Sequence, residues 1–119
     1  MIIELMEVIL YVDDMAAAVA FYRDVLGLPI AYPHCDDYSQ EHWVAFETGT
    51  CRLCLHGGGQ RHQGADAPKV VFRVNDLDDA RSCLLEKGVR LTDVRTPSPG
   101  VFVCGGVDPA GNPFSIEQS

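Results

Sequence analysis

The chain repeats itself, and the repeat limits what it can fold into. VILYVDDMAAAVAFYRDVLGLPI begins at Val8, and VVFRVNDLDDARSCLLEKGVRL begins at Val70. Both run from an apolar stretch through a V-x-D signal and a helical pattern to a glycine and a second apolar stretch. Val12 corresponds to Val74, Asp14 to Asp76, Met15 to Leu77, and Gly27 to Gly88 after a gap of one residue. A unit of this size cannot cover both faces of its own sheet, so two copies imply two modules that each need a partner surface.

The physics of each copy points to β-α-β-β-β. Val8, Leu10 and Val12 alternate with Ile9 and Tyr11, a pattern that predicts a strand buried on both faces. Asp13 or Asp14 is placed to cap the first helix, and Asn75 or Asp76 the second. Met15, Val19, Tyr22 and Leu26 form an apolar stripe in the first helix, and Leu77, Ala80, Leu84 and Leu85 in the second. Gly27 and Gly88 supply the left-handed residue that ends each helix. Further strands are expected over Leu28–Pro33, Glu41–Glu47 and Cys51–Gly57, then over Arg90–Val94, Val101–Val107 and Pro113–Gln118. TPSPG and DPAGNP read as turns. Residues 1–57 therefore form module one, 58–68 a Gly-rich polar linker and 69–119 module two, together one α+β domain. The two sheets are expected to meet in a cup with the helices on the outer face.

Composition narrows the function. The 119 residues are 47% hydrophobic, enough for a real core, and carry a net charge of −8. The few Lys and Arg are scattered, which argues against nucleic acid as a partner. The acidity serves solubility and can steer cationic ligands. No segment approaches the ~20 apolar residues that cross a bilayer, and the start of the chain lacks the pattern of a secretory leader. A cytoplasmic protein without membrane contact is the expectation. Cys35, Cys51, Cys54, Cys83 and Cys104 are an odd number without framework spacing. In CRLC, strand alternation would turn Cys51 and Cys54 to opposite faces, against a redox or zinc pair. No nucleophile elbow, phosphate loop or dinucleotide fingerprint is present.

LYVDDMAAAVAFYRDVLGL, with its F-Y-x-x-x-L-G ending, VFRVNDLDDA and DPAGNPFSIEQ together resemble the vicinal oxygen chelate superfamily. It includes glyoxalase I, bleomycin resistance proteins and extradiol dioxygenases, and the resemblance spans essentially the whole chain. It implies paired β-α-β-β-β modules, commonly in a homodimer. In the family's enzymes it implies a divalent metal that polarises neighbouring substrate oxygens. The implied ligand positions fall on Glu7, near Cys54, on Lys69 and on Ser115. A protonated Lys is a fixed cation and repels a metal, so this set predicts no metal and no cofactor. An ion pair between Glu7 and Lys69 is expected in the metal's place.

Strand parity extends the candidate ligand-binding set to Ile9, Tyr11, Trp43, His56, Arg73 and Glu117, an aromatic wall with several charges. Trp43 and His56 also have plainer uses as packing and hydrogen-bonding residues. YPHCDDYSQEHW, residues 32–43, is a polar surface loop that could serve as a lid. The leading expectation is a metal-independent protein that binds an aromatic or cationic small molecule, as bleomycin resistance proteins do. The alternatives are a divalent-metal lyase, isomerase or dioxygenase with unusual ligands drawn from Glu7, His56, Glu117 or the 32–43 loop, and a non-catalytic regulatory or structural module.

Overall fold

The structure, a computed structural model, describes residues 1, 3–58 and 67–119. The linker expected over 58–68 therefore lies outside the described residues, apart from Gly58, Ala67 and Pro68. The chain separates into two compact units, Met1–Arg61 and His62–Ser119.

Module one contains β1 (Glu7–Val12), α1 (Met15–Val19), which continues as a π-helical segment (Ala20–Val25), β2 (Ile30–Tyr32), β3 (Trp43–Glu47) and β4 (Arg52–Gly57). Module two contains β5 (Val70–Arg73), α2 (Leu77–Glu86), β6 (Arg95–Ser98), β7 (Val101–Val107) and β8 (Pro113–Gln118). The sheet orders are β1-β4-β3-β2 and β5-β8-β7-β6. β1 lies parallel to β4, and β5 to β8, while all other pairs are antiparallel. The fold is α+β, with two mixed four-stranded sheets of the same topology. No helix of the described residues is long and apolar enough to cross a membrane.

Local chemistry explains the helix boundaries. Asp14 accepts a hydrogen bond from the Ala17 amide at 3.0 Å, and Asp76 accepts one from the Asp79 amide at 3.0 Å. Each carboxylate satisfies an amide that the helix leaves without a partner. Gly27 at φ +79 and Gly88 at φ +85 close the helices in the left-handed region. The one-residue gap in the repeat has a structural counterpart. In module one the Leu26 amide reaches back to the Phe21 carbonyl at 2.9 Å, and a π turn holds one residue more than an α turn.

In module one, one sheet face is apolar and packs beneath the helix. Val44 stands opposite Leu55, and Phe46 opposite Leu53, all buried. The Tyr22 ring lies 5.9 Å from the Phe46 ring, and Met15, Ala18 and Val19 are buried alongside. Burying such side chains stabilises the fold by roughly 1.5–3 kcal/mol each.

Four expectations need correction. β1 is not buried on both faces, because Ile9 and Tyr11 are each 41% exposed, whereas Val12 on its other face is buried. In α2, Leu77 and Leu84 are buried but Leu85 is 43% exposed, since a ten-residue helix offers a narrow stripe. Arg90–Val94 is not a strand: pairing with β7 begins only at Arg95, and β6 then runs on into TPSPG, the stretch read as a turn. Pro97 is tolerated there because β6 is an edge strand. Finally, the strand expected to begin at Leu28 is only Ile30–Tyr32.

The displacement of β6 follows from two glycines. The 90–94 segment lies directly on β7. A Cβ on Gly106 would stand 2.6 Å from the Arg90 carbonyl oxygen. Thr92 donates its amide to the Gly105 carbonyl at 2.8 Å, and its Oγ1 accepts the Gly105 amide at 2.9 Å. The D-P-x-G-N hairpin is a second tight junction. Buried Asp108 accepts from the amides of Ala110 and Asn112 and from Asn112 Nδ2, at 2.8–2.9 Å.

Gly106→Ala is expected to lower unfolding stability by about 1–3 kcal/mol, because the Arg90 backbone must move. Asp108→Ala should cost about 2–3 kcal/mol by leaving buried donors without an acceptor. Urea unfolding of the two variants against wild type measures both.

Candidate functional site

The other face of the module-one sheet carries the polar and aromatic side chains. Its register sets them in three transverse rows. Glu7 lies beside Arg52, and Arg52 beside Glu47; Ile9, Cys54 and Ala45 form the next row; Tyr11, His56 and Trp43 form the third. Glu7, Ile9, Tyr11, Trp43, Cys54 and His56 thus share one face.

A hollow of about 470 Å³ opens on this face, within the size range of small-ligand sites. Trp43, Ala45 and Cys54 form its floor, and Glu7, Glu47 and Arg52 its sides. Glu4 and Met6, from the stretch before β1, and the β3–β4 turn from Gly49 to Cys51 complete the rim. Strand alternation turns Glu47 the same way as Trp43 and Ala45, and Arg52 the same way as Cys54 and His56. Nothing in the sequence marked Glu4 and Met6, which precede the first strand.

Charge is unevenly shared in and around the hollow. Arg52 Nη2 pairs with Glu47 Oε1 at 3.0 Å. Glu7 Oε2 accepts from the Cys54 thiol at 3.1 Å. Residues 1–57 carry nine carboxylates against two guanidinium groups, whereas residues 69–119 carry seven carboxylates against six Lys and Arg. The excess negative charge of the protein is therefore concentrated in module one.

Cys54 is 1% exposed. Burial first, and then the hydrogen bond to Glu7 and its negative charge, push the thiol up to about 12. It is a neutral hydrogen-bond donor at ordinary pH and a poor nucleophile.

The third row is aromatic. The Tyr11 and His56 rings lie 5.2 Å apart, and the Trp43 and His56 rings meet edge to face at 6.1 Å. His56 Nδ1 lies 2.6 Å from the Gly57 carbonyl oxygen. With the proton on Nδ1, Nε2 is left as an acceptor.

Module two brings Arg73, Ser115 and Glu117 to one face of its own sheet, with Arg73 opposite Glu117 and Ser115 between Val71 and Gly105. Ser115 is 2% exposed, and its Oγ would lie 3.0 Å from a Cβ on Gly105, so it is packed against the neighbouring strand. Lys69 lies just before β5 and is exposed.

The 32–43 loop is pinned by Tyr38, which is 5% exposed and donates to the Pro33 carbonyl at 2.7 Å. Residues 33–42 contribute nothing to the lining of the hollow. Among the described residues, no three His, Cys, Asp or Glu side chains converge as a metal site would require.

The profile of the glyoxalase/bleomycin resistance protein/dioxygenase superfamily matches residues 4–116. The chain belongs to this superfamily. Several solved structures share its fold. A putative glyoxalase family protein from Bacillus anthracis is 19% identical, with a TM-score of 0.80, over 100% of this chain and 97% of the other. A lactoylglutathione lyase from Agrobacterium tumefaciens is 24% identical, with a TM-score of 0.77, over 98% and 93%. An antibiotic binding protein from a Streptomyces species is 19% identical, with a TM-score of 0.76, over 98% and 96%. None of the curated proteins compared with the chain matches it.

The residues at the implied metal-ligand positions do not fit a divalent ion. Glu7 accepts a hydrogen bond from the Cys54 thiol, Ser115 is packed away from solvent and Lys69 is a cation.

The thiol makes a pH prediction. Below its ordinary value of 9.0, Cys54 is neutral in both folded and unfolded chains. Above it, the unfolded chain releases the proton while the fold holds it up to about 12. The unfolded state then binds fewer protons, so stability falls as pH rises through this window. Urea midpoints from about pH 8 to about pH 11 should fall for wild type, and less steeply for Cys54→Ser, whose hydroxyl does not ionise there.

Proposed function

We propose that this protein binds a small organic molecule without a metal, holding or sequestering its ligand rather than transforming it. The hydrogen bond from Cys54 to Glu7 carries this reading. It joins two of the positions where the superfamily resemblance implies metal ligands, placing a thiol donor at one of them, while the other two hold an exposed lysine and a packed serine. The hollow beside that pair has a Trp floor and acidic walls, which suits an aromatic or cationic ligand. Among the fold neighbours, one carries an antibiotic-binding name and another a lyase name. The donor chemistry of this chain favours the first kind of role.

Tyr11, His56 and Trp43 extend the binding surface past the hollow as an aromatic row. Arg73 and Glu117 stand in register as a pair on the module-two sheet, a candidate contact surface of that module's own. We take the protein to work in the cytoplasm as a homodimer. The exposed apolar side chains of Ile3, Leu5 and Met6 in module one, and of Val107 in module two, motivate a second chain.

Elemental analysis of protein purified without chelators is expected to find divalent metal far below one equivalent per chain. Added Zn, Ni, Mn or Fe should not raise the melting temperature above that of the metal-free protein. Near-stoichiometric metal, held through dialysis, would sink the proposal in favour of a metal-dependent lyase, isomerase or dioxygenase.

A further inference from the structure

The hollow in module one has an unbalanced charge. Arg52 stands between Glu7 and Glu47 in the ladder, but its guanidinium is committed to Glu47. Glu7 receives only a thiol from within its own module, a weak and neutral donor. Glu4 adds a third carboxylate at the rim. Against one guanidinium, the lining is net acidic, in the module that holds most of the protein's excess negative charge. Among the described residues of module one, no cation pairs with the half-buried Glu7 carboxylate, and it attracts a ligand that supplies one, because its field is less screened than at an open surface.

The floor decides which kind of cation. A hard metal ion needs six to eight oxygen ligands, or several waters with carboxylates around them. Here Trp43, Ala45 and Met6 present carbon surface next to the carboxylates, and the volume of about 470 Å³ far exceeds that of a single ion. The Trp43 ring also offers a π face or edge to a planar group or cation. We propose that this hollow is a site for an organic cation with a flat apolar body. Its amidinium, guanidinium or ammonium head pairs with Glu7, and its body lies against Trp43. This rests on the small-molecule-binding reading above and narrows it to one charge class and one place in the fold.

Three probes of one shape and different charge test it: benzamidinium, benzamide and benzoate. Trp43 is the only tryptophan, so its fluorescence reports contact at the floor, and calorimetry gives Kd independently. Benzamidinium should quench Trp43 and bind at least about tenfold more tightly than benzamide, since a charge-assisted hydrogen bond is roughly twice as strong as a neutral one. Benzoate should bind most weakly, and added salt should weaken benzamidinium alone. Glu7→Gln, which keeps an acceptor for Cys54, should cost benzamidinium about tenfold or more and leave benzamide within about twofold. Should that variant fold poorly by circular dichroism, the wild-type probe series and its salt dependence still decide the question. Equal affinities for the three probes, or no effect of Glu7→Gln in a folded variant, would overturn the cation assignment while leaving small-molecule binding intact. Absence of benzamidinium binding at concentrations up to about 10 mM, an affinity weaker than even a millimolar complex, would overturn the hollow as the site. Failure of the metal-free reading shows separately, in the elemental analysis.

Discussion

Module one is organised around β4. This strand pairs in parallel with β1 and antiparallel with β3, so its register determines every side-chain neighbour on both faces. On one face it presents Leu53 and Leu55 to the layer beneath the helix; on the other it presents Arg52, Cys54 and His56. A slip of one residue would exchange the two sets and bury charge beneath the helix. The apolar face is thus a strong constraint, and the candidate site is its by-product. The carboxylates, the thiol and the aromatic row meet because the leucines between them are buried.

The Cys54–Glu7 contact follows from the same strand. Cys54 is central, flanked by β1 and β3, and has little solvent to ionise into. Placing a carboxylate next to it raises the cost of a thiolate further, so the pair settles with the thiol as donor and Glu7 as acceptor. The same backbone positions that would suit a Lewis-acid centre in other sequences here hold a hydrogen bond. Fold and chemistry are separable: the topology belongs to the superfamily, while the side chains on its inner rows are this chain's own.

The two modules share their order of elements and differ in how each handles local strain. Module one accommodates its additional residue through a π turn before Gly27. Module two has no such turn, but its connection after α2 crosses β7 where only glycine leaves room for the Arg90 carbonyl. Both devices concern backbone clearance and not side-chain polarity. Hydrophobic periodicity alone therefore gave no warning of either, although the gap in the repeat and the GG pair were visible.

Much of the fold was legible because its signals are local. Asp14, Asp76, Gly27 and Gly88 act through one helical turn each, and the alternation of RLCLH needs only neighbouring residues to state which side chains share a face. The sequence by itself determined the two β-α-β-β-β units, the caps and the membership of Glu7, Ile9, Tyr11, Trp43, Cys54 and His56 in candidate rows. Tertiary structure decided what those rows do. It paired Cys54 with Glu7 and Arg52 with Glu47, drew Glu4 and Met6 to the rim, sealed Ser115 against β7, and exposed Ile9, Tyr11 and Leu85, which periodicity had placed inside. These outcomes depend on distances between segments far apart in the chain. Periodicity tells which way a side chain points, but only packing tells what stands opposite it.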